Sequence, residues 1–415
     1  MNTPGVQRRS EVRALTRLAF DEVGGAAEGV AHIHRAISER VFTGIQLGVG
    51  PAAIPTKALH DGIAATVYSG VAGTARVVGS LAGRVLDLPA GDPPPSRTPR
   101  GAQTIAVIQG LIGDKLEAEG SPLAEPMSIR VGGAPVPADA GSLAAAFPEA
   151  RGGLVFFLHG LVETERAWNL GGRPTYGTRL ETDLDLTSLQ IRYNSGRHIS
   201  DNGRSLAELV DAVVANWPVE VESIALIGHS MGGLVARSAC HTASVDGLPW
   251  VHRVRHVVSL GSPHLGAPLE QAVHYASAAL SRLPETRPFA RLLRRRSAGI
   301  RDLNQGSLVD EDWRDRDPDA LRAAACSEVP LLDWVTYCFV SATLSRSPTH
   351  PLGRFIGDGM VLVPSASGRN RTRMIGFREE HGMHLAPAHH FTLLNHDAVH
   401  ERLLEWMSSP QVLDV

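Results

Sequence analysis

The feature that most constrains this chain is a strand, a tight turn and a helix in direct succession at residues 223–235. Residues 224–227 are apolar, as in a buried central strand. Gly-His-Ser-Met-Gly follows at 228–232, and an apolar helical pattern starts at Leu234. A Gly-x-Ser-x-Gly turn in this setting is typical of a nucleophile elbow, where small residues flank a serine with a strained backbone. We therefore expect Ser230 to project its hydroxyl from the carboxyl edge of a sheet. An ordinary glycine-rich turn is the alternative.

The composition fits one large α/β domain with additions. The chain has 415 residues, of which 43% are hydrophobic, and its formal net charge of −3 gives no reason to expect nucleic acid as a partner. The three cysteines are widely spaced and form no metal or redox motif, which favours a reducing compartment: Cys240, Cys326 and Cys338. Residues 1–13 contain no apolar signal core, and the most apolar long stretch, residues 62–83, carries Arg76. We expect a cytoplasmic protein that is at most peripheral to a membrane.

Three segments are predicted along the chain. Residues 1–88 form a helical extension, residues 89–101 a proline-rich linker without helix, and residues 102–410 an α/β domain. The extension carries apolar stripes at helical spacing, formed by Val30, Ile33, Ile37 and Val41 and by Ile63, Val67, Val71, Thr74, Val78, Leu81 and Val85. We expect these helices to pack on the rest of the protein or on another subunit. The alternative is that they contact a membrane surface.

Strands and helices alternate within residues 102–410, which indicates a mainly parallel sheet with right-handed crossovers. A hairpin around Gly132-Gly133 precedes the parallel strands. Further strands are predicted at 153–160, 187–193, 224–227, 253–260 and 334–343, and helices at 104–119, 205–217 and 391–407. Residues 267–333 break the alternation because they are helical and rich in arginine. An insert at this place is expected to form a lid or cap over the carboxyl edge of the sheet.

The serine needs a base, because a serine hydroxyl is a weak nucleophile at neutral pH; the base is usually a histidine oriented by a carboxylate. In elbow architectures the chain order is serine, acid, histidine. Asp358 fits the acid because it follows the next-to-last predicted strand, between Gly357 and Gly359. A simple turn aspartate or a calcium ligand is the alternative interpretation. Asp333 and Asp312 are poorer candidates because they precede that strand or lie in the insert.

The base is predicted among six histidines near the end of the chain: His381, His384, His389, His390, His396 and His400. His390 is the first choice because it stands where a loop leads into the last helix, from which a base can reach the serine. His389 is the first rival, whereas His396 falls within the helix pattern. A metal cluster of several of these histidines is the alternative, but their spacing matches no standard zinc motif. No metal site is therefore predicted.

Two backbone amides are predicted to stabilise an oxyanion. One belongs to Met231, directly after the nucleophile, and the other to Leu161, after His159-Gly160. A glycine at 160 lets the backbone bend so that the next amide faces the serine. His159 is interpreted as a hydrogen-bonding residue rather than as a base.

Together these motifs resemble those of bacterial serine lipases and esterases of the α/β-hydrolase fold, in the lipase and glycosylphosphatidylinositol-inositol-deacylase-like branch. The motifs are Gly228-His-Ser-Met-Gly-Gly, His159-Gly160, Gly261-Ser-Pro-His-Leu-Gly266, Asp358-Gly-Met-Val and His390-Phe-Thr-Leu-Leu. The resemblance covers residues 154–407. It implies the α/β-hydrolase fold, a mainly parallel sheet with helices on both faces. The helical lid at 267–333 and the N-terminal helical extension are expected from the residues themselves, and the extension lies outside the resemblance.

The same resemblance implies a catalytic triad of Ser230, Asp358 and His390, with Leu161 and Met231 as oxyanion donors. We expect a serine ester hydrolase of lipid metabolism that needs no cofactor and acts on a small-molecule or lipid ester with an apolar acyl group. An acyltransferase or thioesterase with the same triad is the second hypothesis. A non-catalytic scaffold on a hydrolase fold, which binds a partner or a membrane through the N-terminal helices, is the third.

Overall fold

The computed structural model describes residues 4–18, 93–267, 297–316, 326–346, 357–371 and 373–408. The chain divides into two compact units, Met1–Glu125 with Ala272–Ser297, and Pro126–Gln271 with Ala298–Val415. The apolar stripes predicted at 30–41 and 63–85 lie outside the described residues, as does most of the predicted insert before residue 297. Within the described ranges, no helix combines the length and the apolar character needed to cross a membrane.

The described part of the first unit contains two helices, α1 (Pro4–Leu18) and α2 (Pro99–Ala118). They enclose a small apolar core of Leu15, Ile105, Leu116 and Leu123. Polar groups at the edge of this core are paired: the Glu11 carboxylate accepts hydrogen bonds from the backbone amide and the hydroxyl of Ser96, at 2.9 and 2.7 Å. The sequence placed residues 102–125 with the α/β domain, whereas this packing places them with α1.

The prediction that residues 89–101 are not helical is wrong from residue 95 onward. A 3₁₀ turn spans Pro95–Arg97 and α2 begins at Pro99. Proline is tolerated at the first helical position because the amide it lacks has no partner there in any helix. Thr98 completes the start of α2, since its hydroxyl accepts a hydrogen bond from the Gly101 amide at 3.1 Å. The prolines therefore start helices here instead of excluding them.

The second unit contains an eight-stranded sheet with the strand order β2-β1-β4-β3-β5-β6-β7-β8. The strands are β1 (Ser128–Val131), β2 (Ala134–Val136), β3 (Gly153–Leu158), β4 (Leu186–Arg192), β5 (Ser223–His229), β6 (Val254–Leu260), β7 (Thr336–Ala342) and β8 (Gly382–Leu385). The hairpin β1–β2 and the β1–β4 pair are antiparallel, and the other neighbouring strands are parallel. This confirms the predicted α/β-hydrolase fold.

The described helices of the second unit lie between these strands or after the last of them. They are α3 (Ala140–Ala146), α4 (Tyr176–Asp183), α5 (Ile199–Asn216), α6 (Met231–Val245), α7 (Ala298–Gln305), α8 (Val363–Ala366) and α9 (Asp397–Ser408). Five 3₁₀ segments accompany them in the described part of this unit, at Glu165–Gly172, Pro249–Arg253, Asp310–Asp312, Glu379–His381 and His390–Leu394.

Besides α2, which begins at Pro99 instead of residue 104, two predicted helices differ from the observed ones. The helix predicted at 205–217 begins at Ile199, because the distant Asp302 carboxylate accepts a hydrogen bond from the Ile199 amide at 2.8 Å. The helix predicted at 391–407 is two pieces, His390–Leu394 and α9, separated at Asn395, where φ is −161° and ψ is 84°. The short strand β8 was not predicted, because four residues at the sheet edge carry little periodic signal.

Apolar side chains cover both faces of the central strands. In β3, Leu154, Phe156 and Leu158 join the core on one face, whereas Val155 and Phe157 join the core on the other. This alternation follows from the two-residue period of a strand. A strand that is buried on both faces is a rigid support for the loop that follows its carboxyl end.

The turn between β5 and α6 is tightly packed backbone against backbone. Ser230 has φ 52° and ψ −118°, a positive φ that non-glycine residues seldom adopt. A Cβ atom added to Gly228 would lie 2.2 Å from the carbonyl carbon of Gly232, and one added to Gly232 would lie 2.3 Å from the Leu158 oxygen. The predicted elbow is therefore present, and its glycines are required by space.

We predict that Gly228→Ala lowers the free energy of unfolding by at least about 2 kcal/mol, because overpacking against rigid backbone cannot relax. Gly141→Ala is the matched control. A Cβ atom added to Gly141 would lie 3.6 Å from the nearest atom, an Asp139 carboxylate oxygen, which is an ordinary contact. Because Gly141 lies in α3, where alanine is favoured over glycine, we expect its substitution to raise the free energy of unfolding by up to about 1 kcal/mol. Urea denaturation measures both. If the free energy of unfolding of Gly228→Ala is no lower than that of Gly141→Ala, the close packing at the turn is contradicted.

Candidate active site

Ser230 sits at the junction of β5 and α6, and its backbone is fixed from two sides. Its amide donates a hydrogen bond to the Leu260 carbonyl oxygen at 2.9 Å, which ties the turn to the end of β6. On the other side Gly160 approaches so closely that an added Cβ atom would lie 3.1 Å from the Ser230 Cβ. The loop at residues 159–163, which follows β3, therefore lies directly against the serine.

Asp358 and His390, the residues predicted as the acid and the base, form a buried pair. The distance from His390 Nδ1 to Asp358 Oδ2 is 2.8 Å, and each residue exposes 2% of its surface. The other carboxylate oxygen of Asp358 accepts hydrogen bonds from the amides of Met360 and Val361, at 2.9 and 2.7 Å. The His390 amide in turn donates to the Asp358 carbonyl oxygen at 3.0 Å. Each group thus holds the other in place through side chain and backbone.

This pairing changes the basicity of the histidine. Burial alone lowers the pKa of His390, but the negative charge of Asp358 and its hydrogen bond outweigh burial and raise the pKa above its ordinary value. Nε2 on the far side of the ring has no hydrogen-bond partner among the described residues. The ring therefore carries an oriented, unoccupied nitrogen of increased basicity, which is what a general base requires.

The His390 ring lies beside the elbow. Its centroid is 4.6 Å from that of His229, the residue before Ser230. It also packs on the backbone of Gly261, where an added Cβ would lie 3.1 Å from ring atoms Cε1 and Nδ1, and where φ is 62°. The structure thus places the Asp358–His390 pair next to the strand that carries the serine.

The rival histidines are placed differently. His389 makes no hydrogen bond to Asp358, and burial lowers its pKa. His396 lies between the two terminal helical pieces, where its amide donates to the Tyr176 hydroxyl at 2.7 Å. Among the residues that the structure describes, no three His, Cys, Asp or Glu side chains are arranged to hold one metal ion.

The two predicted oxyanion donors belong to segments that adjoin Ser230, Met231 to the start of α6 and Leu161 to loop 159–163. Met231 is the first residue of α6, where amides have no partner within the helix and the dipole is positive. In loop 159–163 the amides next to Leu161 are engaged, Gly160 with Glu163 Oε2 at 2.6 Å and Val162 with Ser195 Oγ at 3.2 Å. The Leu161 amide has no hydrogen-bond partner in the described part of the chain. Both amides are thus available to a ligand oxygen.

His159 supports the loop and is not a base. Its ring is fully buried and stacked on Tyr193 at 4.3 Å, and burial lowers its pKa to about 4. Nε2 accepts a hydrogen bond from the Tyr193 amide at 3.3 Å, so Nδ1 carries the proton that is donated to the Gly160 carbonyl at 2.8 Å. The neutral ring therefore fixes the bend at Gly160.

Two residues near the site were not predicted. Glu163 is buried in loop 159–163 and accepts the Gly160 hydrogen bond, and His229 is fully buried at the end of β5. His229 Nδ1 lies 3.1 Å from Glu163 Oε2. Burial would raise the pKa of Glu163, but His229 and the Gly160 amide lower it overall. A hydrophilic residue after a buried strand is an ordinary loop residue in sequence, so only the fold reveals this contact.

One segment of the chain matches a known family. Residues 187–305, which include Ser230 and Met231, match the model of the PGAP1-like alpha/beta domain. No curated protein matches the chain.

Several solved structures are similar at low identity. Bacillus licheniformis lipase BlEst2 in its propeptide form is 18% identical, with a TM-score of 0.38 over 62% of this chain and 50% of that chain. Its mature form is also 18% identical, with a TM-score of 0.37 over 62% of this chain and 93% of that chain. Phospholipase PlaB from Legionella pneumophila is 16% identical, with a TM-score of 0.32 over 52% of this chain and 45% of that chain. The chain thus spans about half the length of the BlEst2 propeptide form.

The family match confirms, for residues 187–305, the resemblance that the motifs predicted: this stretch is similar to the PGAP1-like alpha/beta domain.

Proposed function

We propose that this protein is a serine carboxylic ester hydrolase with Ser230 as nucleophile, His390 as base and Asp358 as the acid that orients it. One observation carries the proposal: a buried imidazole is hydrogen-bonded to a carboxylate at 2.8 Å, and its ring lies 4.6 Å from the ring of the residue before a serine at a strained strand–helix turn. The match of the serine-bearing segment to a PGAP1-like alpha/beta domain supports it.

The proposed reaction begins when Ser230 Oγ attacks the acyl carbonyl while His390 Nε2 takes the hydroxyl proton. The amides of Leu161 and Met231 donate hydrogen bonds to the oxyanion, and each such donor typically contributes about 3 kcal/mol of transition-state stabilisation. His390 then gives the proton to the departing alcohol, which leaves an acyl group on Ser230. Water attacks this acyl-enzyme with His390 as base, and the free acid is released.

The charge of Asp358 favours the imidazolium form of His390 that arises in both steps. Its hydrogen bond also selects the tautomer, because a proton on Nδ1 leaves the Nε2 lone pair free to accept from the serine. The substrate is proposed to be an ester with an apolar acyl group, which is the class expected from the helical insert predicted at 267–333. A series of p-nitrophenyl esters of graded chain length tests this, and product analysis with an added alcohol separates hydrolysis from acyl transfer.

We predict that a fluorophosphonate probe labels the protein at Ser230 and that Ser230→Ala abolishes both labelling and ester hydrolysis. Ser262→Ala is the matched control, because this buried serine follows β6 and is not a member of the proposed triad. Mass spectrometry of the labelled peptide gives the position. Undiminished hydrolysis in Ser230→Ala would remove the proposed nucleophile.

Asp358→Asn is expected to reduce kcat by about 10⁴-fold with an intact fold, because an amide does not select the tautomer that accepts the serine proton. Steady-state kinetics on a p-nitrophenyl ester gives the value, and circular dichroism checks the fold. Asp333→Asn, at a poorer candidate for the acid, serves as the control. A loss of less than tenfold in Asp358→Asn would exclude Asp358 from its role.

The acid limb of the pH profile of kcat/KM is expected to lie above the ordinary histidine value of about 6.5. His390 acts as a base only when neutral, and Asp358 raises its pKa, so activity falls as pH drops through that raised value. In Asp358→Asn the residual activity should have its limb at lower pH. A wild-type limb at or below the ordinary value would contradict the charge effect.

A further inference from the structure

A second carboxylate–imidazole pair lies next to the proposed triad. Glu163 and His229 are both buried, and their contact between Glu163 Oε2 and His229 Nδ1 is 3.1 Å long. The proposed mechanism uses neither side chain. Burying a carboxylate is costly unless hydrogen bonds or charge compensate it, so this pair calls for an account of its own.

The pair bridges the two parts of the site that must stay in register with Ser230. On one side Glu163 Oε2 accepts the Gly160 amide at 2.6 Å, directly before the proposed oxyanion donor Leu161. On the other side His229 Nε2 lies 3.3 Å from the backbone carbonyl oxygen of His390. Both ring nitrogens face oxygen atoms that accept hydrogen bonds. A proton on Nδ1 is donated to Glu163, and a proton on Nε2 is donated to the His390 carbonyl oxygen.

Aromatic packing leaves the His229 ring little freedom. Trp168 meets it edge-on with centroids 6.4 Å apart, and Phe391 lies 6.2 Å away on the side of His390. The exposed fraction of His229 is 0%. Because the ring contacts Glu163 on one side and the His390 carbonyl oxygen on the other, a shift of loop 159–163 would also shift the backbone of His390.

We propose that Glu163 and His229 are positioning residues, which hold the Leu161 amide and the His390 imidazole in a fixed relation to Ser230. The inference rests on the proposed function, because it assigns these side chains a part in the same reaction. A displacement of about 1 Å in a reacting group can reduce a rate by about 100-fold.

Glu163 also acts on His390 through its charge. The charged and titratable groups that face the His390 ring are Asp358 from the loop after β7, Glu163 from loop 159–163, His229 from β5 and the adjacent His389. The carboxylate of Glu163 contributes to the raised pKa of His390, after Asp358. Removing that charge therefore lowers the pKa of His390, which a merely structural role of Glu163 would not do.

The test compares Glu163→Gln with Glu165→Gln in the full-length protein. Glu165 is a buried carboxylate two positions along the chain, but it pairs with Arg192 through two contacts of 2.6 Å. We expect Glu163→Gln to lower kcat by about tenfold to 100-fold on a p-nitrophenyl ester, with KM within about twofold of wild type. Its acid limb should move to lower pH. Glu165→Gln should reduce thermal stability while leaving the limb in place.

A second measurement does not depend on activity. In protein labelled with ¹⁵N-histidine, the titration midpoint of the His390 ring, assigned with His390→Gln, should fall in Glu163→Gln and stay unchanged in Glu165→Gln. If wild type is neither labelled by the probe nor active, the proposed function fails, and this titration still decides whether Glu163 acts on His390.

Unchanged kcat together with an unchanged His390 titration in folded Glu163→Gln would overturn the inference. Where Glu163→Gln does not fold, His229→Asn breaks the same link from the other side. An unaltered kcat in that variant would likewise overturn it, and a loss of tenfold or more at unchanged KM would support it.

Discussion

The structure depends on one close approach of backbone to backbone, where α6 begins against the end of β3. The Cα of Gly232 lies so near the Leu158 carbonyl that no side chain fits between them. This contact brings three groups to one point: the serine at the turn, the first amides of α6 and loop 159–163. Because β3 and β5 are paired in parallel register from Gly153 and Ser223 onward, their carboxyl ends reach the same edge of the sheet. The proposed reaction requires that the ends of β3 and β5 meet at this edge, because they carry the serine and the predicted oxyanion donors.

Around this point the site is a set of buried polar groups that satisfy one another. Asp358 is held by two amides and His390, and Glu163 by one amide and His229. Such groups are costly to bury and stay oriented only when their hydrogen bonds are made, so they specify one arrangement rather than adding much stability. Two atoms that lack a hydrogen-bond partner among the described residues, His390 Nε2 and the Leu161 amide nitrogen, are atoms that the proposed reaction would use.

Local signals in the sequence were sufficient to predict the elbow, the strands other than β8, and the residues Asp358 and His390, which the structure brings into contact. A tight turn needs glycines at set positions, a buried strand needs an apolar run, and the chain order of the site follows from the fold. The start of α5 could not be predicted because it depends on a distant partner. Helix α5 begins at Ile199, before the predicted residue 205, because the Asp302 carboxylate accepts a hydrogen bond from the Ile199 amide although it lies more than a hundred residues away in sequence. The contact between Glu163 and His229 could not be predicted either, because it forms only where the fold places loop 159–163 beside the end of β5.

The most direct measurement of the central claim is a crystal structure of the protein after reaction with a fluorophosphonate. The phosphorus should be bonded to Ser230 Oγ, with its phosphoryl oxygen about 3 Å from the amide nitrogens of both Leu161 and Met231. The His390 ring should still be hydrogen-bonded to Asp358 through Nδ1, and its Nε2 should face Ser230 Oγ, the oxygen bonded to phosphorus. A phosphonyl group on another residue, or a phosphoryl oxygen turned away from both amides, would contradict the account.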